Sequence, residues 1–490
     1  MAFGQDSIRS AQLADSPAAG WIDANWDKLF EGMFALMRIP SVSTDPAYAD
    51  GMEQARVLLL DHLGRIGFQD LRLLDGGGHK AVYAEWLGAP GAPTMLFYAH
   101  YDVQPPDPVE LWRDPPFAPT LRDGRVYCRG ASDDKGPLWT MLCALEAALA
   151  TDGALPVNVK LMLEGEEEVG SRTMPEILRR HGARLKADAV ISADGAHWRH
   201  GLVSVNTNCR GFCALEFTVR TADHDLHSGR YGGVVANAAS VLCRMVASLH
   251  DENGRVAVDG FHEGLRSPSD ADRASIDAID FDGSRFLAEV GAKSAAIERG
   301  VPMLEAMWLQ PTLEVNGISG GYAGPGTKTV LPHSASAKIT CRLGVGQDPQ
   351  AVADVIERHL RAHCPGTATL SIDRDPGGAR AYFVPEDNPA LLAVERMMGK
   401  LYGRKPLHVG SGGTLPIASM IKQHLDMETI MVSNAVSDSE AHAPNEFFRV
   451  SSFREGLKAW LLLLPELAMA TGGDRAASAS RTESAKATRE

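Results

Sequence analysis

Little in this chain suits a polyanionic partner, a membrane or an oxidising compartment. Its formal net charge is −14 at pH 7, so phosphates meet a repulsive average surface and no nucleic-acid partner is expected. No apolar run reaches membrane-spanning length, and no membrane association is expected. The nearest run, AWLLLLPELAMA, is short, contains Pro465 and Glu466, and reads as a core helix. The opening residues, MAFGQDSIRSAQLADSPAAGW, lack a basic region followed by an apolar run, so a signal peptide is not expected. Cysteine is sparse, with seven residues scattered without metal-knuckle spacing. They read as reduced thiols in a cytoplasmic setting, with Cys143 and Cys243 as packing residues on apolar helix positions.

What is present is an ordinary globular composition, 44% hydrophobic and 22% charged, over 490 residues. That length is too great for one core, so two domains are expected. Against this background one type of segment recurs. The apolar run Thr94 to Ala99 reads as a buried strand and ends at His100 and Asp102. Alone, a His-x-Asp is ordinarily a turn with a surface ion pair. Asp133 and Asp134 follow in a Gly- and Ser-containing turn, after which Pro137 opens the helical run LWTMLCALEAALA.

VNVKLMLEGEEEVGS is a second β-like run and delivers Glu164, Glu166, Glu167 and Glu168. ADAVISADG delivers Asp194, and METIMVSNAVSDSEAHAPNE carries His442 in a loop with Asp438 and Glu440. Solvated charge runs do not recur at strand ends with this choice of residues. In an open α/β sheet the crevice beyond the strand ends is where chemistry sits.

The motifs HYDVQP, RGASDDKGP, EGEEEVGS, ISADG, HSGRYGG and EAHAPNE, in this order, resemble those of the M20 metallopeptidases, particularly the branch of cytosolic nonspecific dipeptidases and carnosinases. The similarity runs from about residue 25 to residue 468. The resemblance implies two metal ions held by His100, Asp133, Glu168, Asp194 and His442. It also implies a cis peptide between Asp133 and Asp134.

The chemistry of such a set can be argued from the residue types. Two neighbouring divalent ions need a bridging carboxylate, and Asp133 in its tight turn is the candidate. Each ion then takes one imidazole and one further carboxylate, which suits zinc and tolerates manganese. Glu167, beside a ligand, becomes the general base for a water whose pKa the metals lower. Asp102 is expected to hydrogen-bond the far nitrogen of His100 and fix its tautomer.

The alternation of strand and helix continues through Asp194 as one α/β domain. WDKLFEGMFALMRI within Ala24 to Ile39 and MEQARVLLLDHLGRIGF read as its first two helices. Beyond about Val203 the pattern changes to strands with two helices, VVANAASVLCRMVASLH and PQAVADVIERHLRAHC, an α/β sandwich inserted into the first domain. The expected division is a metal-dependent exopeptidase-type α/β catalytic domain over 1–205 and 384–470, a lid domain over 206–383, and a disordered tail, 471–490, low in apolar residues. The stretch between His250 and Trp308 is polar, acidic and largely helical, without a legible role.

By resemblance the lid carries dimerisation, and His227 of HSGRYGG reaches a partner subunit's active site to stabilise an oxyanion. A lone histidine in such a loop is ordinarily structural. Arg342 in KITCRLGV occupies the position that grips a substrate carboxylate, a task suited to a bidentate guanidinium. VGSGGTLPIAS is a glycine-rich turn into a helix without a P-loop lysine; its backbone amides at Gly413, with Thr414 in the family's hydroxyl position, suit a carboxylate. After Asp194 the chain departs from its relatives, offering His197 and Trp198.

The expected activity is hydrolysis of dipeptides or short peptides by a homodimer with two Zn2+ or Mn2+ ions. N-acyl-amino-acid deacylation at the same site is the first alternative. A silent scaffolding relative is the second, and the presence of all five ligands and the base argues against it.

Overall fold

The computed structural model describes residues 13 and 16–470, apart from 298 and 299; the expected tail, 471–490, lies outside the described residues. The chain divides into two compact units, one of Met1–Thr207, Val384–Val409 and Met420–Glu490, the other of Asn208–Phe383 and Gly410–Ser419.

The first unit is built on a six-stranded sheet. Its order is Gln69–Leu74, Ala81–Trp86, Asn158–Glu164, Thr94–His100, Ala189–Ser192 and Thr429–Met431. The last four strands run parallel, and the first two form an antiparallel edge. Strand Thr94–His100 lies between two parallel neighbours and is buried from Met95 onward. That is why its sequence is a continuous apolar run rather than an alternating one.

Helix Lys135–Asp152 is buried almost all round and contacts helices Pro17–Ala24, Trp26–Met37 and Val450–Ala470. It stops at Gly153, whose φ of 65° only a glycine adopts readily. Helix Val450–Ala470 continues through Pro465, since packing on Lys135–Asp152 and Pro389–Tyr402 outweighs one lost backbone bond. Among the described residues no helix is long and apolar enough to cross a membrane.

The helix expected within Ala24 to Ile39 is Trp26–Met37, and a further helix, Pro17–Ala24, precedes it. Asn25 divides them, its Nδ2 donating to the carbonyl of Trp21 at 2.8 Å. Competition of this kind between an asparagine side chain and the helical ladder is why Asn favours helix ends. Cys143 is buried as expected, but Cys243 is exposed. Helix Ala238–Ala247 buries Ala238, Val241, Leu242 and Met245, one stripe at helical spacing that leaves Cys243 outside.

The second unit holds a four-stranded antiparallel sheet in the order Thr312–Gly320, Ser334–Leu343, Gly211–Arg220, Thr369–Arg374. Alternate residues of the central strands, Cys213, Leu215, Phe217 and Val219 with Ala335, Ala337, Ile339 and Cys341, form the core with Val241, Leu242, Val352, Ile356 and Leu360 from two helices. The stretch after His250 contributes short helices Asp270–Asp277, Gly283–Glu289 and Met303–Trp308. Gly410–Ser419 joins this unit because Gly410 lies against Asn208 and Trp308, where a Cβ would come within 2.5–2.6 Å of either residue.

His62 in helix Ala49–Arg65 is buried beside Trp139, with ring centroids 4.6 Å apart. Burial pulls its pKa from 6.5 down to about 4, although Glu146, 3.7 Å away, acts in the opposite direction. Between those values the unfolded chain binds more protons than the folded one, so stability falls as pH drops from 6.5 towards 4. The full linkage is about 3 kcal/mol. Denaturant midpoints of wild type and His62→Gln, compared at pH 7 and pH 4.5, are expected to show a smaller acid loss in the variant. An identical loss would remove His62 as its source.

Candidate metal centre

The parallel strands Asn158–Glu164, Thr94–His100 and Ala189–Ser192 end side by side, with His100 in register with Glu164. Their ends deliver His100 and Asp102, the acidic block 164–168, and Asp194 to one crevice. Strand Thr429–Met431, paired to Ala189–Ser192, leads on to the loop of His442. Asp133 enters from the turn before helix Lys135–Asp152, and the Asp133–Asp134 peptide is cis.

Asp133 is the centre of the arrangement. Its Oδ1 lies 2.9 Å from His100 Nε2, and its Oδ2 lies 2.9 Å from His442 Nε2. His442 Nε2 is also 3.2 Å from Glu168 Oε2. His100, Asp133 and Asp194 bring ligand atoms within 4.8 Å of one another, and so do Asp133, Glu168 and His442. Each group therefore offers one imidazole and two carboxylates, with Asp133 common to both.

The donor set fits two divalent cations. Three carboxylates converge, and burial together with Asp133 and Glu168 pushes Asp194 up to about 6. Hydrogen bonding to Asp133 and Glu168 pushes His442 up to about 10. Both shifts report a crevice that calls for positive charge.

The four glutamates of the acidic block have separate environments. Glu166 is occupied structurally, accepting from the amides of His79 (2.9 Å) and Thr173 (3.0 Å) and from the Thr173 hydroxyl. Glu164 accepts from Tyr98 Oη at 2.7 Å, and burial pushes it up to about 8. Glu168 faces His442 and is steadied by Gln104, whose amide and Nε2 donate at 3.1 and 2.7 Å. Glu167 has no hydrogen bond to its carboxylate among the described residues. Burial is the main cause that raises its pKa well above the ordinary value; Asp194, Asp133 and Glu168 add to the rise and His100 opposes it.

Asp102 meets His100 differently from the simple expectation. His100 Nδ1 lies 3.0 Å from the Asp102 main-chain carbonyl and 3.5 Å from the carboxylate. The carboxylate itself accepts from the amides of Glu167 and Glu168, at 3.3 and 3.1 Å. It thus ties the imidazole's loop to the turn carrying Glu167 and Glu168. The reason is local: the short turn Glu167–Val169 presents amides that a buried carboxylate answers.

His442 has φ 63°, and Glu440 and Asn445 have φ 57° and 66°. Three non-glycine residues in the left-handed region mark a loop whose shape is imposed by its contacts. One of these is the bidentate pair of Arg449 with Asp438, at 2.8 and 2.7 Å.

In the second unit, Arg342 Nη1 donates to Thr414 Oγ1 at 2.8 Å, and Gly413 N donates to Ser411 Oγ at 3.1 Å. Arg210 organises this turn: its amide donates to the carbonyls of Ser411 and Gly413, at 3.2 and 3.1 Å, and its Nε to that of Gly412 at 3.0 Å. His227 is exposed, and its Nδ1 accepts from Gly229 N at 3.0 Å. Sequence reasoning passed over Gln104 and Arg210. The first lay inside a motif already quoted, and the second was visible only as an interruption between strands Ser204–Cys209 and Gly211–Arg220.

The chain is similar to known metallopeptidases over most of its length. The chain is 27% identical over 467 residues to Beta-Ala-His dipeptidase of Homo sapiens, covering 91% of this chain and 92% of that protein. It is 26% identical over 460 residues to Cys-Gly metallodipeptidase DUG1 of Saccharomyces cerevisiae, covering 89% and 95%. The crystal structure of the M20 family metallo-carboxypeptidase Sso-CP2 from Sulfolobus solfataricus superposes with a TM-score of 0.81 at 30% identity, covering 90% of this chain and all of that one. The model of peptidase family M20/M25/M40 matches residues 96–466, and the chain belongs to that family.

Proposed function

We propose that this protein is a dinuclear metallopeptidase that hydrolyses dipeptides bearing a free carboxylate. The observation that carries the reading is the pair of Asp133 oxygens, each directed at a different imidazole within a different ligand group. His100 and Asp194 would hold one ion, Glu168 and His442 the other, and Asp133 would serve both. Imidazole mixed with carboxylate suits Zn2+ and tolerates Mn2+. Two such ions would lower the pKa of a water and polarise the scissile carbonyl.

The remaining steps belong to side chains. Glu167, with its raised pKa and no competing hydrogen bond, takes the proton from water and returns it to the leaving amine. Asp102 keeps His100 oriented. Arg342 and Thr414, with the amide of Gly413, bind the substrate carboxylate, and His227 serves the oxyanion. We place the enzyme in the cytoplasm on its seven free thiols. We further infer a homodimer formed through the second unit, a reading supported by its edge strand Thr312–Gly320, which leaves Val315 and Ile318 exposed.

The Sulfolobus relative is named a carboxypeptidase, which favours one competing reading: removal of a C-terminal residue from longer peptides. The deciding experiment stays with one preparation. Chelator-stripped protein, re-supplied with Zn2+ or Mn2+, is assayed on dipeptides, the matching tripeptides and N-acetyl amino acids. Metal-restored cleavage confined to dipeptides is expected. Efficient tripeptide cleavage would move the assignment to carboxypeptidase, and cleavage of the acylated compounds alone to deacylase.

Two variants test the roles. Glu167→Gln should bind metal and substrate while kcat falls by about 10²- to 10⁴-fold; retained turnover would remove Glu167 as the base. Arg342→Met should raise KM for a dipeptide with a free carboxylate and leave its C-terminal amide unaffected. Equal losses on both compounds would deny Arg342 the carboxylate contact.

A further inference from the structure

Glu446 closes the EAHAPNE motif four residues after His442, and it is fully buried. Its carboxylate is surrounded by donors from a distant part of the chain. Oε1 accepts from the amides of Ser132 and Asp133, at 2.8 and 3.1 Å, and from Ser132 Oγ at 3.1 Å. Oε2 accepts from the amide of Gly130 and from Arg129 Nη1, both at 2.8 Å. The Glu446 carbonyl in turn accepts from the amide of Cys128 at 3.1 Å. Strand Phe447–Arg449 continues this contact, pairing antiparallel with Arg125–Tyr127 so that Phe447 faces Tyr127.

We propose that Glu446 is the positioning residue that clamps the 129–133 loop to the His442 loop, and so sets the spacing on which binding of both metals depends. The proposal rests on reading Asp133 as the shared ligand. Three amides of residues 130–133 converge on one carboxylate, which leaves that loop little freedom to turn. The Asp133 side chain is thereby presented to His100 and His442 at 2.9 Å each. Because His442 lies on the same short segment as Glu446, displacement of one loop displaces the other. Arg129 supplies the compensating charge, and both members of that pair are 1% exposed.

Glutamine has nearly the shape of glutamate but replaces one acceptor oxygen with a donor. In Glu446→Gln an NH2 would face at least two of these donors, and the loop would have to move away. The test uses full-length protein stripped of metal and titrated calorimetrically with Zn2+, with the thermal midpoint of each metal-free protein measured separately. Glu446→Gln is expected to weaken at least one binding step by about 10- to 100-fold.

Because that variant leaves Arg129 buried without its partner, the double variant R129M/E446Q is made beside it. Removing both charges should restore much of the metal-free midpoint while Zn2+ affinity stays low, since the glutamine NH2 still opposes at least one of the amides of Gly130, Ser132 and Asp133. Native affinity in E446Q, or recovery of native affinity in R129M/E446Q, would overturn the positioning role. A wild type that binds fewer than two ions would instead sink the reading of the site, and this inference with it.

Discussion

The constraint from which the rest of the molecule follows is the sharing of one carboxylate between two imidazoles. Asp133 can do this only if its two oxygens look in different directions into a crevice where Glu168 and Asp194 also converge. Like charges gathered in a poorly solvated place repel strongly, and Coulomb energy at low effective dielectric makes the arrangement costly unless each charge is answered. The structure sorts its acids accordingly. Asp102, Glu166 and Glu446 are answered by main-chain amides and arrange loops, whereas Asp133, Glu168 and Asp194 keep oxygens turned to the crevice. Glu167 belongs to neither group, and its raised pKa follows from that position.

The sheet supplies the place where such a sorting can occur. Parallel strands end together, and each strand end is followed by a loop whose amides are not yet committed to a ladder. Those amides neutralise the organising carboxylates. Because Thr94–His100 is buried along most of its length, His100 is fixed by the core behind it. One catalytic-unit feature thus depends on another: the apolar run makes the strand central, and the central strand holds the imidazole still.

Legibility in the sequence followed the same division. Ligand-type residues recurring at the ends of recognisable strands marked the crevice, and the resemblance to the M20 family singled out His100, Asp133, Glu168, Asp194 and His442 among them; the layered organisation of the second unit was legible as β-like runs interspersed with two helices. Residues whose work is to accept from or donate to the main chain were not legible. Glu446, Gln104 and Arg210 act on backbone groups whose directions are decided by loop conformation, and composition carries no trace of that. Adjacent glutamates were likewise hard to separate, since the 3-10 turn Glu167–Val169 decides which side chain faces where. The outward face of Cys243 was an error of a smaller kind, in which a one-position rotation decided the outcome.

The two halves of the site are held with different stiffness. His100 is completely buried at the end of a core strand, whereas the His442 side chain is 55% exposed on a loop of left-handed residues. A side chain on such a loop keeps its place only if other contacts fix the loop from outside, and two are present. Arg449 holds Asp438 on one flank, and Glu446 holds residues 129–133 on the other. The loop therefore borrows its order from the same turn that carries Asp133. A site assembled this way has one rigid wall and one wall braced against the shared carboxylate, so the geometry around Asp133, more than any single imidazole, determines whether both ligand groups exist at once.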